Sequence, residues 1–293
     1  MKDYLIRGID RKKSFRVFIV SSTNLVENSR KIHNTSPTVT AALGRALTAA
    51  VIMGATMKET TDSLTFKIKG DGPVGNIVTV ANNSGEVKGY VDNPYVDLPS
   101  RTDGKLDVGG IVGKNGQLAV IKDLGLREPY IGLSNLVSGE IAEDLVHYFY
   151  LSEQQPSAIS LGVLVDKDIS VRAAGGYMLQ ILPNVDEEDI DKIEEILKNA
   201  DPISALIDRN LSPEEIMEEL FGEFDMEILE RKDIEFKCDC ARDKIEKVLV
   251  SLGKEELEDI IEEDGKAEIV CHFCNTKYNF SKEELLKLVN SGI

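Results

Sequence analysis

Apolar and polar positions change period several times along this chain, and the changes divide it into elements. Asp3–Asp10 and Ser14–Ser21 read as two strands around the polar turn Arg11-Lys12-Lys13, a hairpin signal. A helix is predicted from near Thr23. A second begins after Ser36, which can cap it, with Pro37 at the favoured first position. That helix runs through Ala41, Ala42, Gly44, Ala46, Ala49 and Gly54, small residues that let neighbouring backbone come close. Leu64–Lys69, Gly75–Ala81 and Gly85–Val91 then alternate apolar with polar, the period of half-buried strands. They are separated by the turns Gly70-Asp71-Gly72-Pro73 and Asn82-Asn83-Ser84-Gly85. Further strands are predicted near Gln117–Lys122 and Ala158–Val165, and a helix over Glu140–Tyr150. Strands that enclose helices without regular strand–helix alternation predict an α+β fold.

Beyond residue 180 the pattern turns helical. Ile190, Ile193, Ile196 and Leu197 share one helical face. Ser212, Pro213 and Glu215 form a second start signal with a capping box, and Ile216, Met217, Leu220 and Phe221 supply its apolar face. From about Asp233 a further unit is expected. Ile245, Val248, Leu249 and Leu252 make a helical stripe ending at Gly253, and Ser281 with Glu284 caps a last helix carrying Leu285, Leu286 and Leu288. Three parts are therefore expected: an α+β core over 1–180, a helical linker over 181–232 and a small C-terminal domain over 233–293.

Charge sharpens this division. The 293 residues carry a formal net charge of −17. Residues 181–230 alone hold 17 acidic and 3 basic side chains, so most of the excess sits in the expected linker. Dense like charge opposes compaction, and such helices survive best when docked on a neighbour. The bland alternative is a solvated acidic connector. An acidic chain without clustered Lys and Arg also argues against a nucleic-acid backbone as partner. The start MKDYLIRGID lacks an apolar core and a small-residue cleavage site, so no secretory signal is expected. Thr38–Met57 is the one long apolar stretch, but Arg45 near its middle is costly in lipid, which favours a buried helix over a membrane span.

All four cysteines lie in the C-terminal part: Cys238 and Cys240 as C-x-C, then 30 residues, then Cys271 and Cys274 as C-x-x-C. Two close pairs separated by a small folded unit can bring four thiolates into the tetrahedron that zinc accepts, with Zn–S of about 2.3 Å. A segment of about 60 residues has little core, so a metal can decide whether it folds. Without a secretion signal, metal binding or redox sensing is the better default than structural disulfides. A static zinc ribbon would normally carry C-x-x-C at both ends. A disulfide across C-x-C closes a small ring near the limit of comfortable geometry, the profile of an easily reduced, regulatory bond. Spacing alone leaves a redox switch and a static zinc module both open. His272 lies between the last two cysteines but is read as a surface side chain; His33 and His147 are isolated.

Other motifs fail. Gly70-Asp71-Gly72-Pro73-Val74-Gly75 fits G-x-G-x-x-G, yet Pro73 removes an amide and a strand follows, so it is read as a turn and not a dinucleotide site. No nucleophile–base constellation is present, and no enzyme activity is expected. A catalytic C-x-x-C of the thiol oxidoreductase kind is the alternative, but it should open a helix, whereas here it follows the strand-like Ala267–Val270.

Along essentially its whole length the chain resembles the redox-regulated thirty-three-kilodalton heat-shock chaperones. The resemblance rests on Cys238-Asp239-Cys240 and Cys271-His272-Phe273-Cys274. It extends to Thr35-Ser36-Pro37-Thr38 with Ala41 to Leu47, to Gly70 to Gly75 with Gly89-Tyr90-Val91, and to Ser152-Glu153-Gln154 with Ala174-Gly175-Gly176-Tyr177. It implies a homodimeric, ATP-independent holdase of the bacterial cytoplasm whose partners are unfolding client proteins, with neither nucleic acid nor membrane. It further implies one zinc ion on Cys238, Cys240, Cys271 and Cys274 in the reduced, inactive form. Oxidation would give the disulfides Cys238–Cys240 and Cys271–Cys274, release zinc and unfold the C-terminal module with the adjacent linker.

Overall fold

A computed structural model describes residues 2–183 and 185–291. The chain forms two compact units, Met1–Lys237 and Cys238–Ile293. In the first, β1 (Tyr4–Ile9), β2 (Phe15–Ser21), α1 (Thr23–His33), α2 (Pro37–Gly54), β3 (Ser63–Lys69), β4 (Asn76–Asn82) and β5 (Glu86–Val91) follow the predicted order. Next come α3 (Val108–Val112), β6 (Gln117–Asp123), β7 (Tyr130–Asn135) and α4 (Ala142–Tyr148), which ends in a π turn. β8 (Ser157–Val165) and β9 (Val171–Ile181) complete the part expected as the core. They are followed by α5 (Glu187–Asn199), α6 (Ile203–Asp208), α7 (Pro213–Phe221), β10 (Glu227–Asp233) and the two-residue β11 (Glu235–Phe236). The result is a mixed α+β fold.

Two sheets carry the unit, one in the order β10-β1-β2-β9-β8, the other β11-β5-β4-β3-β6-β7. Helix α2 packs against strands of both. Ser36 caps it through Val39 N–H, and every residue except Pro37 and Arg45 is buried. By length and composition this helix could span a bilayer, but it is 89% buried inside the protein. Its small residues have a steric cause. A Cβ on Gly44 would lie 2.6 Å from a methyl of Val26 and 2.9 Å from one of Val163. Arg45 is paired, with Nη1 2.6 Å from Glu140 Oε2.

The two sheets are covered differently, and the sequence patterns follow from that. In the second sheet Leu64, Phe66 and Ile68 are buried while Thr65, Lys67 and Lys69 on the other face are half-buried or exposed, so its strands alternate. In the first sheet both faces are covered. Leu5, Phe18, Val20, Ala174 and Met178 join the core around α2. Tyr4, Ile6, Val17, Ile19, Ala173, Tyr177 and Leu179, the alternate positions, join a second core beneath α5–α7. A strand buried on both faces shows no alternation. For that reason β9, with its Gly175-Gly176 pair, is not legible as a strand.

The segment expected as a helical linker, 181–232, packs within the first unit. Ile193, Ile203, Leu206, Ile207, Ile216, Met217, Leu220 and Phe221 bury against the sheet, with the Phe221 ring 5.9 Å from that of Phe15 and 6.4 Å from that of Tyr177. Ser212 and Glu215 form the predicted capping box. The segment also holds a strand that its charges conceal: β10 pairs antiparallel with β1, from Tyr4↔Asp233 to Ile9↔Glu227. Core cations pair with part of the acidic layer. Lys12 binds Asp186 and Asp189, Arg172 binds Asp208, Arg7 binds Glu230 and Arg11 binds Asp225.

The second unit contains α8 (Arg242–Ser251), α9 (Lys254–Glu263), β12 (Lys266–Val270), β13 (Lys277–Ser281) and α10 (Lys282–Ser291). Leu249, Leu257, Ile261, Phe280, Leu285 and Val289 form its core. The expected α8 stripe is only partly used: Leu249 is buried, whereas Val248 and Leu252 are about half exposed. Leu286 is likewise turned outward. Among the described residues six buried side chains make a small core, and Val248 and Leu252 of the stripe stay outside it.

Candidate metal centre

The four cysteines reach one place from two kinds of local structure. Cys238 and Cys240 lie in an irregular extended stretch just before α8. Cys271 and Cys274 occupy the turn between the antiparallel strands β12 and β13. That turn is closed by Cys271 N–H donating to the Thr276 carbonyl at 2.9 Å and Asn275 N–H donating to the Cys271 carbonyl at 2.8 Å. Asn275 adopts a left-handed φ of 57°, which asparagine tolerates. No helix opens at the C-x-x-C, as an oxidoreductase motif would require.

All four cysteines are half-buried, and their sulfurs lie within 4.8 Å of one another. Cys238 Sγ is 3.7 Å from Cys271 Sγ, and Cys240 Sγ is 3.3 Å from Cys274 Sγ. Four thiolates around one zinc ion at about 2.3 Å stand about 3.8 Å apart, so this donor set suits that metal. His272 is exposed and is not among the clustered donors.

Hydrogen-bond donors surround the sulfurs. The Tyr278 hydroxyl on β13 donates to Cys240 Sγ at 3.2 Å, and the Thr276 hydroxyl lies 3.2 Å from Cys274 Sγ. Burial pushes the Cys238 and Cys271 thiols up, against backbone N–H groups that favour their thiolates. Burial also opposes ionisation of Cys274, but the Thr276 hydroxyl and N–H, together with the Cys240 and Cys238 thiols, outweigh it and bring this thiol down to about 7. The phenol of Tyr278 is pushed up to about 12, chiefly by its bond to Cys240. Below the site Arg242 stacks 4.3 Å from the Phe280 ring centroid and binds Glu284, fixing α8 against β13 and α10.

The structure thus brings together every residue the spacing singled out. Thr276 and Tyr278 were not singled out. Their role depends on the β12–β13 register, which sets Ile269 opposite Tyr278, and no local motif announces that register.

Comparison with known proteins agrees over the full length. The model of the Hsp33 protein family matches residues 3–281. The 33 kDa chaperonin of Alkaliphilus oremlandii is 50% identical over 288 residues, covering 98% of this chain and 96% of that protein. The 33 kDa chaperonin of a Thermoanaerobacter species is 48% identical over 289 residues, covering 99% and 98%. The crystal structure of the 33 kDa chaperonin (heat shock protein 33 homolog) of Thermotoga maritima superimposes with a TM-score of 0.92 at 42% identity, covering 99% of this chain and 98% of that one. With a matching family, matching relatives and a shared fold, this chain belongs to the Hsp33 family.

Proposed function

We propose that the protein is a redox-regulated holdase, a chaperone rather than an enzyme, that binds unfolding proteins under oxidative stress without ATP. The observation that carries this reading is the convergence of four half-buried thiols on one point of a unit whose own core is six side chains. Cys238, Cys240, Cys271 and Cys274 hold one zinc ion in the reduced form, and its binding supplies folding free energy that so small a core lacks, on the order of 10–16 kcal/mol in zinc-finger peptides.

Peroxide or hypochlorous acid then removes two electrons from each pair of thiolates, giving Cys238–Cys240 and Cys271–Cys274. In this proposal a pairing within each motif matters physically. Sulfurs also approach across the motifs, at 3.7 and 3.3 Å, and a cross-motif disulfide would close a loop of more than 30 residues. Such a loop stabilises a fold by about 3–4 kcal/mol in the chain-entropy model, so it would staple the module shut. Disulfides within the motifs constrain almost nothing and abolish the thiolates, leaving the module free to unfold.

The linker layer is the second half of the proposal. Its helices cover an apolar sheet face with apolar residues, and its exposed side is acidic. Undocking bares apolar surface on both partners, while 17 acidic side chains keep complexes soluble. The working form is a homodimer in the cytoplasm of a bacterium, with neither nucleic acid nor membrane as partner.

Light scattering of a heat-unfolding client tests this. The oxidised protein should suppress aggregation without ATP and the reduced, zinc-loaded protein should not. Equal behaviour of the two forms would sink the redox-gated reading.

A further inference from the structure

The four sulfurs are not supported alike. Cys238 accepts the N–H of Cys240, and Cys271 accepts those of Phe273 and Cys274. Cys274 takes the Thr276 N–H as well as its hydroxyl. Backbone donors of this kind persist as long as the turn does, whatever the side chains. Cys240 accepts a side-chain donor from outside the cysteine cluster, the Tyr278 hydroxyl, 3.2 Å away. Tyr278 stands on β13, and its ring packs against the small core, so the hydroxyl is held where it is by the same strand that carries the buried Phe280.

Resting on the zinc-and-redox reading above, we propose that Tyr278 is a positioning residue of the switch: it anchors Cys240 in the ligand cluster and restrains that sulfur's attack on oxidant. The physics has two parts. A hydroxyl donating to a thiolate stabilises the charged form and fixes its direction, and outer contacts of this kind typically change metal affinity 10–100-fold. The same bond draws on the sulfur lone pair that must attack peroxide. In that step a thiolate forms an S–O bond as the O–O bond breaks and hydroxide leaves. A second thiolate then attacks the sulfenic sulfur, forming S–S and releasing another hydroxide, so one peroxide accepts the two electrons. At Cys240 the Tyr278 hydroxyl bears on the entry of the sulfur into this sequence.

Tyr278→Phe in the full-length protein tests this, because it removes the hydroxyl and keeps the ring. Chelator competition should show zinc affinity about tenfold lower than in the native chain. Timed peroxide treatment with peptide-resolved alkylation should show the Cys238–Cys240 pair lost several-fold faster, Cys238 being consumed as it resolves the Cys240 sulfenic acid, with initial rates at Cys271 and Cys274 unchanged. Thr276→Val, the companion variant, should speed loss of the Cys271–Cys274 pair alone and much less, since the backbone donor to Cys274 remains. Unchanged affinity and an unchanged Cys240 rate in Tyr278→Phe would overturn the proposal. So would equal acceleration of all four cysteines, which marks general loosening of the module. The underlying reading fails separately, if elemental analysis of the reduced native chain finds no zinc.

Discussion

The two faces of the first sheet are both buried, yet they are buried in different ways. One lies under α2, a helix of Ala, Gly, Thr and aliphatic residues that is itself enclosed by the second sheet on its far side. The other lies under α5–α7, whose large aliphatic and aromatic residues point inward and whose outer side is acidic and solvated. Removing α2 would dismantle the unit. Removing α5–α7 would leave α2 and both sheets in contact. Equal burial therefore does not mean equal permanence: the α2 face is locked by packing from two sides, and the α5–α7 face is held from one side against the mutual repulsion of its own carboxylates.

The largest test of this contrast is metal removal from the C-terminal unit. With the zinc ion proposed above in place, chelation should cost on the order of 10–16 kcal/mol of binding-linked stability there and expose the amides of residues 242–291. Hydrogen exchange read at the same time should rise in 187–221 and remain slow in α2. Loss of protection in α2 to the same degree would break the comparison.

A paired substitution comes next. Phe221→Ala removes a fully buried ring from the α5–α7 face and should cost about 3–5 kcal/mol. Leu47→Ala makes a cavity on the α2 face at a cost of about 2–5 kcal/mol. The distinction lies in distribution. Phe221→Ala should accelerate exchange in α5–α7 while the thermal transition of the remainder stays in place, and Leu47→Ala should lower the whole unit's transition.

The smallest effect concerns acid. Glu27 on α1 accepts Arg30 Nε at 2.7 Å and the N–H of Val171 on β9 at 3.0 Å. The bond to Arg30 comes first among the causes, and together with Val171 and Lys31 it outweighs burial and holds this carboxyl down at about 2, below the ordinary 4.5. A depressed carboxyl contributes stability that is fully present above its unfolded value and is lost as pH falls through the folded one. Glu27→Gln should therefore destabilise the protein by about 1–2 kcal/mol at neutral pH, allowing for screening. In acid denaturation curves the gap from the native chain should close between pH 4.5 and about 2. A gap that stayed constant with pH would show that the ion pair contributes nothing.

Local chemistry made much of this legible in the sequence. The hairpin at Arg11–Lys13, the Ser36–Pro37 start, the Ser212–Glu215 and Ser281–Glu284 boxes and the spacing of four cysteines each act over a few residues. What stayed hidden depends on partners distant in the chain. β9 shows no alternation because both its faces are covered. β7 is an edge strand whose Tyr130, Ile131 and Leu133 are exposed, so its apolar residues mark no core. β10, rich in charge, is a strand only because β1 offers it an edge. α9, with Leu257 and Ile261 buried among carboxylates, reads as a solvated run until the small core around it is known.

The pairing of β1 with β10 also bears on how the protein is made. Tyr4 leaves the ribosome 229 positions ahead of its partner Asp233. At 5–20 residues per second the interval is roughly 10–45 s. During it the outer edge of β1 has no strand beside it, and from the completion of β9 at Ile181 until α7 ends at Phe221 the sheet face meant for α5–α7 lacks its full cover. Newly synthesised copies thus pass through a stage in which their own apolar sheet surface is open to other nascent chains, and only the acidic segment, arriving late, closes it.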